Sequence, residues 1–246
     1  MKISRRSRSE DTRSVRDESG YNQGWTGGLS TRIREERRSE LIMTKMAPDP
    51  SRRVLEIGCG RGEIARHLAS KSGMQVLGVD RSEGFVREAN AKAVEANVHF
   101  EVLDFTQPDE ILGRRFDYVV GNGILHHLYH DLPASLQAMR RLLVDDGRIV
   151  FLEPNLHNPY VFLIFTWPVL RRYAKLEPDE MAFSRRFAIE RLRDAGFHDI
   201  EVEYRDFLIP GVPEWAVQPL VRFGSVAEKT PGLKHLAQSL FISGRL

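Results

Sequence analysis

The sequence predicts an α/β fold built on a doubly wound, mostly parallel sheet. Three observations carry that expectation. Short β-branched and leucine-rich runs alternate with segments whose apolar residues recur at helical spacing. Glycine or proline punctuates most of the junctions. The first such run ends in a glycine loop, Gly58 to Gly62, that opens directly into a helix-like segment. In sheets of this kind right-handed crossovers place helices on both faces, and ligands collect at the C-terminal ends of the strands.

Residues 1–28 are rich in Ser, Arg and acids and lack the apolar core of a signal peptide, so a disordered tail is expected there. Residues 29–246 are expected to form a single domain. Ile33, Leu41, Ile42 and Met46 fall on one stripe of a helix over Leu29–Met46, which Pro48 and Pro50 stop. Arg53–Ile57 reads as the first strand, "EIARHLASKSG" as a helix stopped by Gly73, and "MQVLGVD" as the second strand. The alanine-rich "SEGFVREANAKAVEAN" reads as a helix, "VHFEVLD" and "FDYVVGN" as strands. "PASLQAMRRLLVDDG" is a helix with proline in its first turn, and "GRIVFLEPN" is the fifth strand. Beyond it the regular order breaks. Two segments, about 156–183 and 207–238, are too long and too apolar for ordinary connections and are expected to be inserted caps. "SRRFAIERLRDAGF" reads as a helix between them, "HDIEVEYRDF" as a strand, and "SLFISGRL" as the last strand.

Composition narrows the partners. Lys+Arg 36 against Asp+Glu 34 leaves a formal charge of +2, so no basic excess points to nucleic acid, and none is expected as a partner. Cys59, the single cysteine, can form no internal disulfide and fits a reducing cytoplasm. No group of acids and histidines shows metal-ligand spacing, so no metal is expected.

The loop identifies a ligand class. A dinucleotide fingerprint needs glycine at the third position of G-x-G-x-x-G, where the helix packs beside the pyrophosphate. Gly58 and Gly60 fit, but that position is Glu63, and Glu56 stands in the strand just before the loop. A carboxylate there repels a diphosphate and suits a cofactor carrying an ammonium and a sulfonium. In Glu56-Ile57-Gly58-Cys59-Gly60-Arg61-Gly62, an acid followed by G-x-G-x-G, the chain resembles the class I S-adenosylmethionine (SAM) dependent methyltransferases. The resemblance runs from Arg53 to Phe207, plus the final strand. It implies a Rossmann-like, mostly parallel seven-stranded sheet with an antiparallel last strand and an inserted apolar cap, and SAM as cofactor.

By the same resemblance, Glu56, Gly58, Cys59, Gly60 and Gly62 hold the methionine end, while Asp80 takes both ribose hydroxyls with Arg81 beside it. Asp104 accepts from the adenine amino group with Phe105 next to the ring, and Asn122 and Gly123 belong to the family's fourth motif. Asp80 also reads as a helix-capping or turn aspartate, and Asp104 as a turn residue.

Methyl transfer needs a base only when the nucleophile carries a proton. "NGILHHLYHD" offers His126, His127 and His130 as candidates near the methyl, with His127 or His126 as base; the same residues could instead shape the pocket. Glu153 and His157, at the mouth of the fifth strand, compete for the role of base, with Glu153 also reading as a strand-end structural acid. The Gly121-Asn122-Gly123-Ile124 sequence lacks the N/D-P-P-Y/F pattern of enzymes acting on exocyclic base amines or glutamine amides. The expected acceptor is a hydroxyl, or a carbon or nitrogen, of an apolar or lipid-linked small molecule, because "YVFLIFTWPVLRR" is too short to span a bilayer. It reads either as a cap lining a pocket or as a peripheral membrane contact through 160–172. Trp215 and Phe223 are candidate lining from the second cap. An NAD-type oxidoreductase and a non-catalytic SAM-binding scaffold are the alternatives.

Overall fold

Alternation within the first strand organises the molecule. In β1 (Arg53–Ile57), Leu55 and Ile57 belong to one buried cluster, while Val54 belongs to another on the opposite face, with Glu56 in register beside it. The computed structural model describes residues 28–107, 111, 113–208 and 211–246; residues 1–27 of the expected tail lie outside the described residues.

The remaining strands are β2 (Gln75–Asp80), β3 (Val98–Val102), β4 (Phe116–Asn122), β5 (Leu143–Pro154), β6 (His198–Arg205) and β7 (Ser239–Arg245). They form one sheet in the order β3-β2-β1-β4-β5-β7-β6. The first five are parallel, and β7 runs antiparallel to both β5 and β6. Strand order reverses between β1 and β4, so a crevice opens beyond their C-terminal ends.

The helices are α1 (Leu29–Met43), α2 (Glu63–Ser72), α3 (Glu83–Lys92), α4 (Leu132–Leu142), α5 (Pro159–Thr166), α6 (Pro168–Tyr173), α7 (Arg185–Asp194) and α8 (Glu214–Ala227). Ile42, Leu68 and Ala89 of α1, α2 and α3 cover Val54, Val76, Tyr118 and Val150. Leu136, Met139 and Leu192 of α4 and α7 cover Leu55, Val119, Ile149 and Ile242 on the other face. Both faces of the parallel strands are therefore buried, which is why they read as near-continuous apolar runs.

Several boundaries differ from the sequence reading. Helix α1 ends at Met43 rather than Met46, in a turn that precedes Pro48. Helix α3 is capped by the Ser82 hydroxyl, which accepts from Phe85 N, but it stops at Lys92. The residues after it leave the helix because Asn97 donates its side-chain amide to the Ala69 and Met74 carbonyls. Helix α4 ends at Leu142, and the following "LVDD" belongs to β5, where Asp146 adopts φ 64°. The apolar cap is two short helices. Asn158 caps the first, and Pro168 forces Trp167 into an extended conformation that ends it.

Candidate active site

The glycine loop between β1 and α2 forms one wall of the crevice. Gly60 sits at φ 52°, and a Cβ placed on it would meet nothing within 4 Å, so the loop leaves open space on that side. Gly62, at φ 76°, starts α2 against the Phe100 ring, where no side chain fits. Asp80 secures the loop: its Oδ2 accepts from Gly60 N at 2.9 Å and its Oδ1 from Ser82 N at 2.9 Å. Asp104 accepts from Thr106 N and Oγ1 in a turn and pairs with Arg81 at 3.7 Å.

A cavity of about 1370 Å³ lies against this loop, larger than the roughly 300–1,000 Å³ of an ordinary ligand pocket. Glu56, Gly58, Cys59, Gly60, Asn122, Gly123, His126 and His127 all line it. Gly62, Asp80, Arg81, Asp104 and Phe105 lie outside its lining. Glu56 is 3% exposed, and its Oε2 has no hydrogen-bond partner. Burial pushes its pKa well above the ordinary carboxylate value, with Glu63 and Asp80 adding to the effect. Such an orphaned acid in a cavity wall fits a cation, and SAM's ammonium is one.

Opposite the loop, α1 supplies groups that nothing in the sequence singled out. Arg38 donates to Asp206 Oδ2, Asn122 Oδ1 and Ser239 Oγ, at 2.9, 2.7 and 2.9 Å. Glu35 on the same wall has its pKa raised to about 7 by burial and by Glu63, against the pull of Arg34, Arg38 and Arg66. These charges alternate with apolar residues along α1 and look like an ordinary solvated helix face until the helix is laid over the crevice.

The histidines follow β4 in a 3₁₀ turn, Leu125–Leu128. Glu153 of β5 holds that turn: it accepts from Ile124 N, Leu125 N and His126 N, and from His126 Nδ1 at 2.8 Å. This matches its reading as a structural acid. His127 Nδ1 lies 3.1 Å from Glu180 Oε1, and the two imidazole centroids are 4.2 Å apart. Burial alone would raise the Glu180 carboxyl, but His127 and His126 hold it below its ordinary value. His126, His127 and Glu180 thus converge, with one potential ligand atom from each within 4.8 Å of the others. This cluster is not legible in the sequence, because Glu180 arrives from the cap, far along the chain.

Four other candidates are not at the site. His130 and His157 are exposed and absent from the cavity lining. They are displaced because the 3₁₀ turn points His130 outward and β5 ends before His157. Trp215 and Phe223 are 81% and 53% exposed and also lie outside the lining. Tyr160, Val161, Ile164 and Phe165 of the first cap do line it.

The methyltransferase domain family matches residues 54–147. The ubiquinone biosynthesis O-methyltransferase of Acinetobacter baumannii (strain AYE) is 30% identical over 178 residues, which cover 65% of this chain and 73% of that protein. The chain belongs to the class I SAM-dependent methyltransferases. Phosphoethanolamine N-methyltransferase 1 of Arabidopsis thaliana is 28% identical over 198 residues, 78% of this chain but 37% of that protein. The aklanonic acid methyltransferase DauC of Streptomyces sp. (strain C5) is 35% identical over 128 residues, 50% of this chain and 54% of that protein. The chain therefore spans about a third to a half of the length of these two relatives. A solved SAM-dependent methyltransferase from Archaeoglobus fulgidus shares the fold at TM-score 0.63 and 20% identity, over 92% of this chain and 98% of that one. Membership of this family sets aside the dinucleotide oxidoreductase reading, and SAM is the family's cofactor.

Proposed function

We propose that this chain transfers the methyl group of SAM to a hydroxyl, or a carbon or nitrogen, of an apolar or lipid-linked small molecule. The observation that carries the reading is the make-up of the cavity. The Glu56 carboxyl, with its Oε2 unpartnered, and the open glycine loop share it with an apolar wall of Tyr160, Val161, Ile164 and Phe165. In this reading Glu56 takes the ammonium of SAM, and Gly58, Cys59, Gly60 and Gly62 give its methionine end access to the backbone. Asp80, which accepts from the Gly60 and Ser82 amides, takes the ribose hydroxyls in this reading, and Arg81, Asp104, Phe105, Asn122 and Gly123 complete the cofactor side.

SAM supplies a methyl on a sulfonium leaving group, so the protein's work is to orient the acceptor and, for a hydroxyl, to take its proton. In this reading His127 takes that proton, supported by its place in the cavity wall and by Glu180 3.1 Å from its Nδ1, whereas His126 bonds through Nδ1 to Glu153. The exposure of Phe162, Trp167, Val169 and Tyr173 on the outer side of α5 and α6 supports a peripheral membrane contact. Among the described residues no helix is long and apolar enough to cross a membrane.

Calorimetry with S-adenosylhomocysteine and with NAD, followed by transfer of labelled methyl from SAM into lipid and polar extracts, tests the proposal. Binding of S-adenosylhomocysteine and label in the apolar fraction are expected. Binding of NAD alone, or label confined to the polar fraction, overturns it.

A further inference from the structure

We propose that His126, His127 and Glu180 form a divalent transition-metal site whose open coordination positions face the acceptor space. Two imidazoles and one carboxylate contribute atoms that all lie within 4.8 Å of one another. The 3.1 Å between His127 Nδ1 and Glu180 Oε1 is close to the roughly 3.3 Å that separates two ligands each about 2.0–2.1 Å from a tetrahedral zinc.

The supporting groups are arranged as a metal site requires. Glu153 already accepts three backbone N–H groups, and a carboxylate in that role takes the Nδ1 proton of His126 as its fourth bond. That fixes the tautomer, so Nε2 carries the lone pair, the carboxylate–histidine–metal arrangement in which the outer acid orients the ligand and raises its basicity. Glu180 is held from the other side. Met181 N donates to the His126 carbonyl at 3.2 Å, and Arg171 donates to the carbonyls of Phe165, Glu177, Pro178 and Glu180. The loop bearing the carboxylate is thereby tied to the turn bearing the imidazoles.

The donor set selects the metal class. Two imidazoles with one carboxylate suit zinc, cobalt, nickel or iron(II), and are poorer ligands for magnesium or calcium, which take oxygens. Three protein ligands leave a position open, the pattern of catalytic rather than structural sites. All three residues line the cavity, so that position is accessible to an acceptor. Resting on the methyl-transfer reading, this points to an acceptor that presents an oxygen: with a metal bound, His127 would serve as a ligand and not as the base, and the acceptor hydroxyl on the metal would give up its proton to solvent more readily. That deprotonation would break the O–H bond, and the oxyanion would then form the O–CH3 bond as the sulfonium S–CH3 bond breaks to leave a neutral thioether.

The test uses the full chain stripped with a chelator and titrated with Zn²⁺ or Co²⁺ alone. One equivalent per chain is expected, and Co²⁺ should give the visible absorption of a low-coordinate site. Glu180→Gln and His127→Gln are expected to weaken binding at least tenfold while far-ultraviolet circular dichroism and S-adenosylhomocysteine affinity stay unchanged. Absence of saturable binding, or equal binding by both variants and the parent, overturns the proposal and leaves His127 and Glu180 a hydrogen-bonded pair. Metal binding without any methyl transfer would instead count against the proposed function, so the two failures are distinguishable. If Glu180→Gln loses its fold, His127→Gln alone decides.

Discussion

Glu56 stores a cost that its ligand relieves. A buried carboxyl with one unpartnered oxygen and a raised pKa opposes folding whenever it must ionise, and a cation in the cavity removes that penalty. Glu56→Gln is therefore expected to leave the thermal midpoint of the ligand-free protein at pH 8 unchanged or higher. The same change should weaken SAM binding by about 1.5–3 kcal/mol, the range for a hydrogen bond to a charged group. Scanning fluorimetry and calorimetry on the same samples check both halves, and a large drop in midpoint with unchanged affinity would assign Glu56 to the core instead. Glycines, Glu56 and the paired histidines were legible in the sequence because the chemistry of each lies within a few neighbouring residues. Asp80 was legible as a strand-end acid, but its hold on the Gly60 amide was not, since that bond joins two separate loops. Glu180 was illegible for the same reason: only the folded cap brings it to His127.

At the scale of elements, the cap shows how a prolines-and-aromatics stretch serves two surfaces. Asn158 and Pro159 start α5, Pro168 ends it, and the resulting short helices turn Val161 and Phe165 inward while Phe162 and Trp167 stay exposed. The sequence left pocket wall and membrane contact as competing readings of one run; the pair of short, largely apolar helices supplies residues to the cavity and also leaves an apolar outer face. If that outer face meets lipid, Trp167→Ser with Val169→Ser should lower association with phospholipid vesicles at least tenfold, since each apolar side chain buried is worth about 1.5–3 kcal/mol. Sedimentation with vesicles measures it, S-adenosylhomocysteine affinity serving as the control for folding. Equal sedimentation of parent and variant would remove the membrane contact.

Across the whole molecule, α1 is fastened over the crevice by a buried ionic group. Asp206, after β6, is 4% exposed and receives Arg38 at 2.8 Å and Arg34 at 3.6 Å. Burial would raise its pKa, but Arg38 and Arg34 hold it below the ordinary 3.8. A depressed folded pKa means the pair stabilises fully above about pH 4 and loses that contribution as pH falls through the folded value. Asp206→Asn keeps the left-handed backbone, at φ 71°, that asparagine also tolerates. It is expected to cost about 3–5 kcal/mol at pH 7, because Arg38 is left without its charge partner, and to flatten the loss of stability below pH 4. Urea denaturation between pH 3 and 7 checks this, and parallel pH profiles for parent and variant would show that Asp206 carries no such linkage.

The sequence by itself determined the succession of the seven strands and of the helices up to α4 together with α7, the glycine loop and its neighbouring acid, because periodicity, turn chemistry and short motifs are written in adjacent residues; α8, within the second expected cap, was not read as a helix. It overran the ends of α1, α3 and α4, where Asn97 and the start of β5 override local helix preference through contacts made elsewhere in the chain. Only the tertiary structure decided that α1 closes the crevice, that His126 is braced by Glu153, and that Glu180 meets His127. Those contacts join elements separated by long stretches of chain, and their geometry exists only once the sheet has brought its strand ends together.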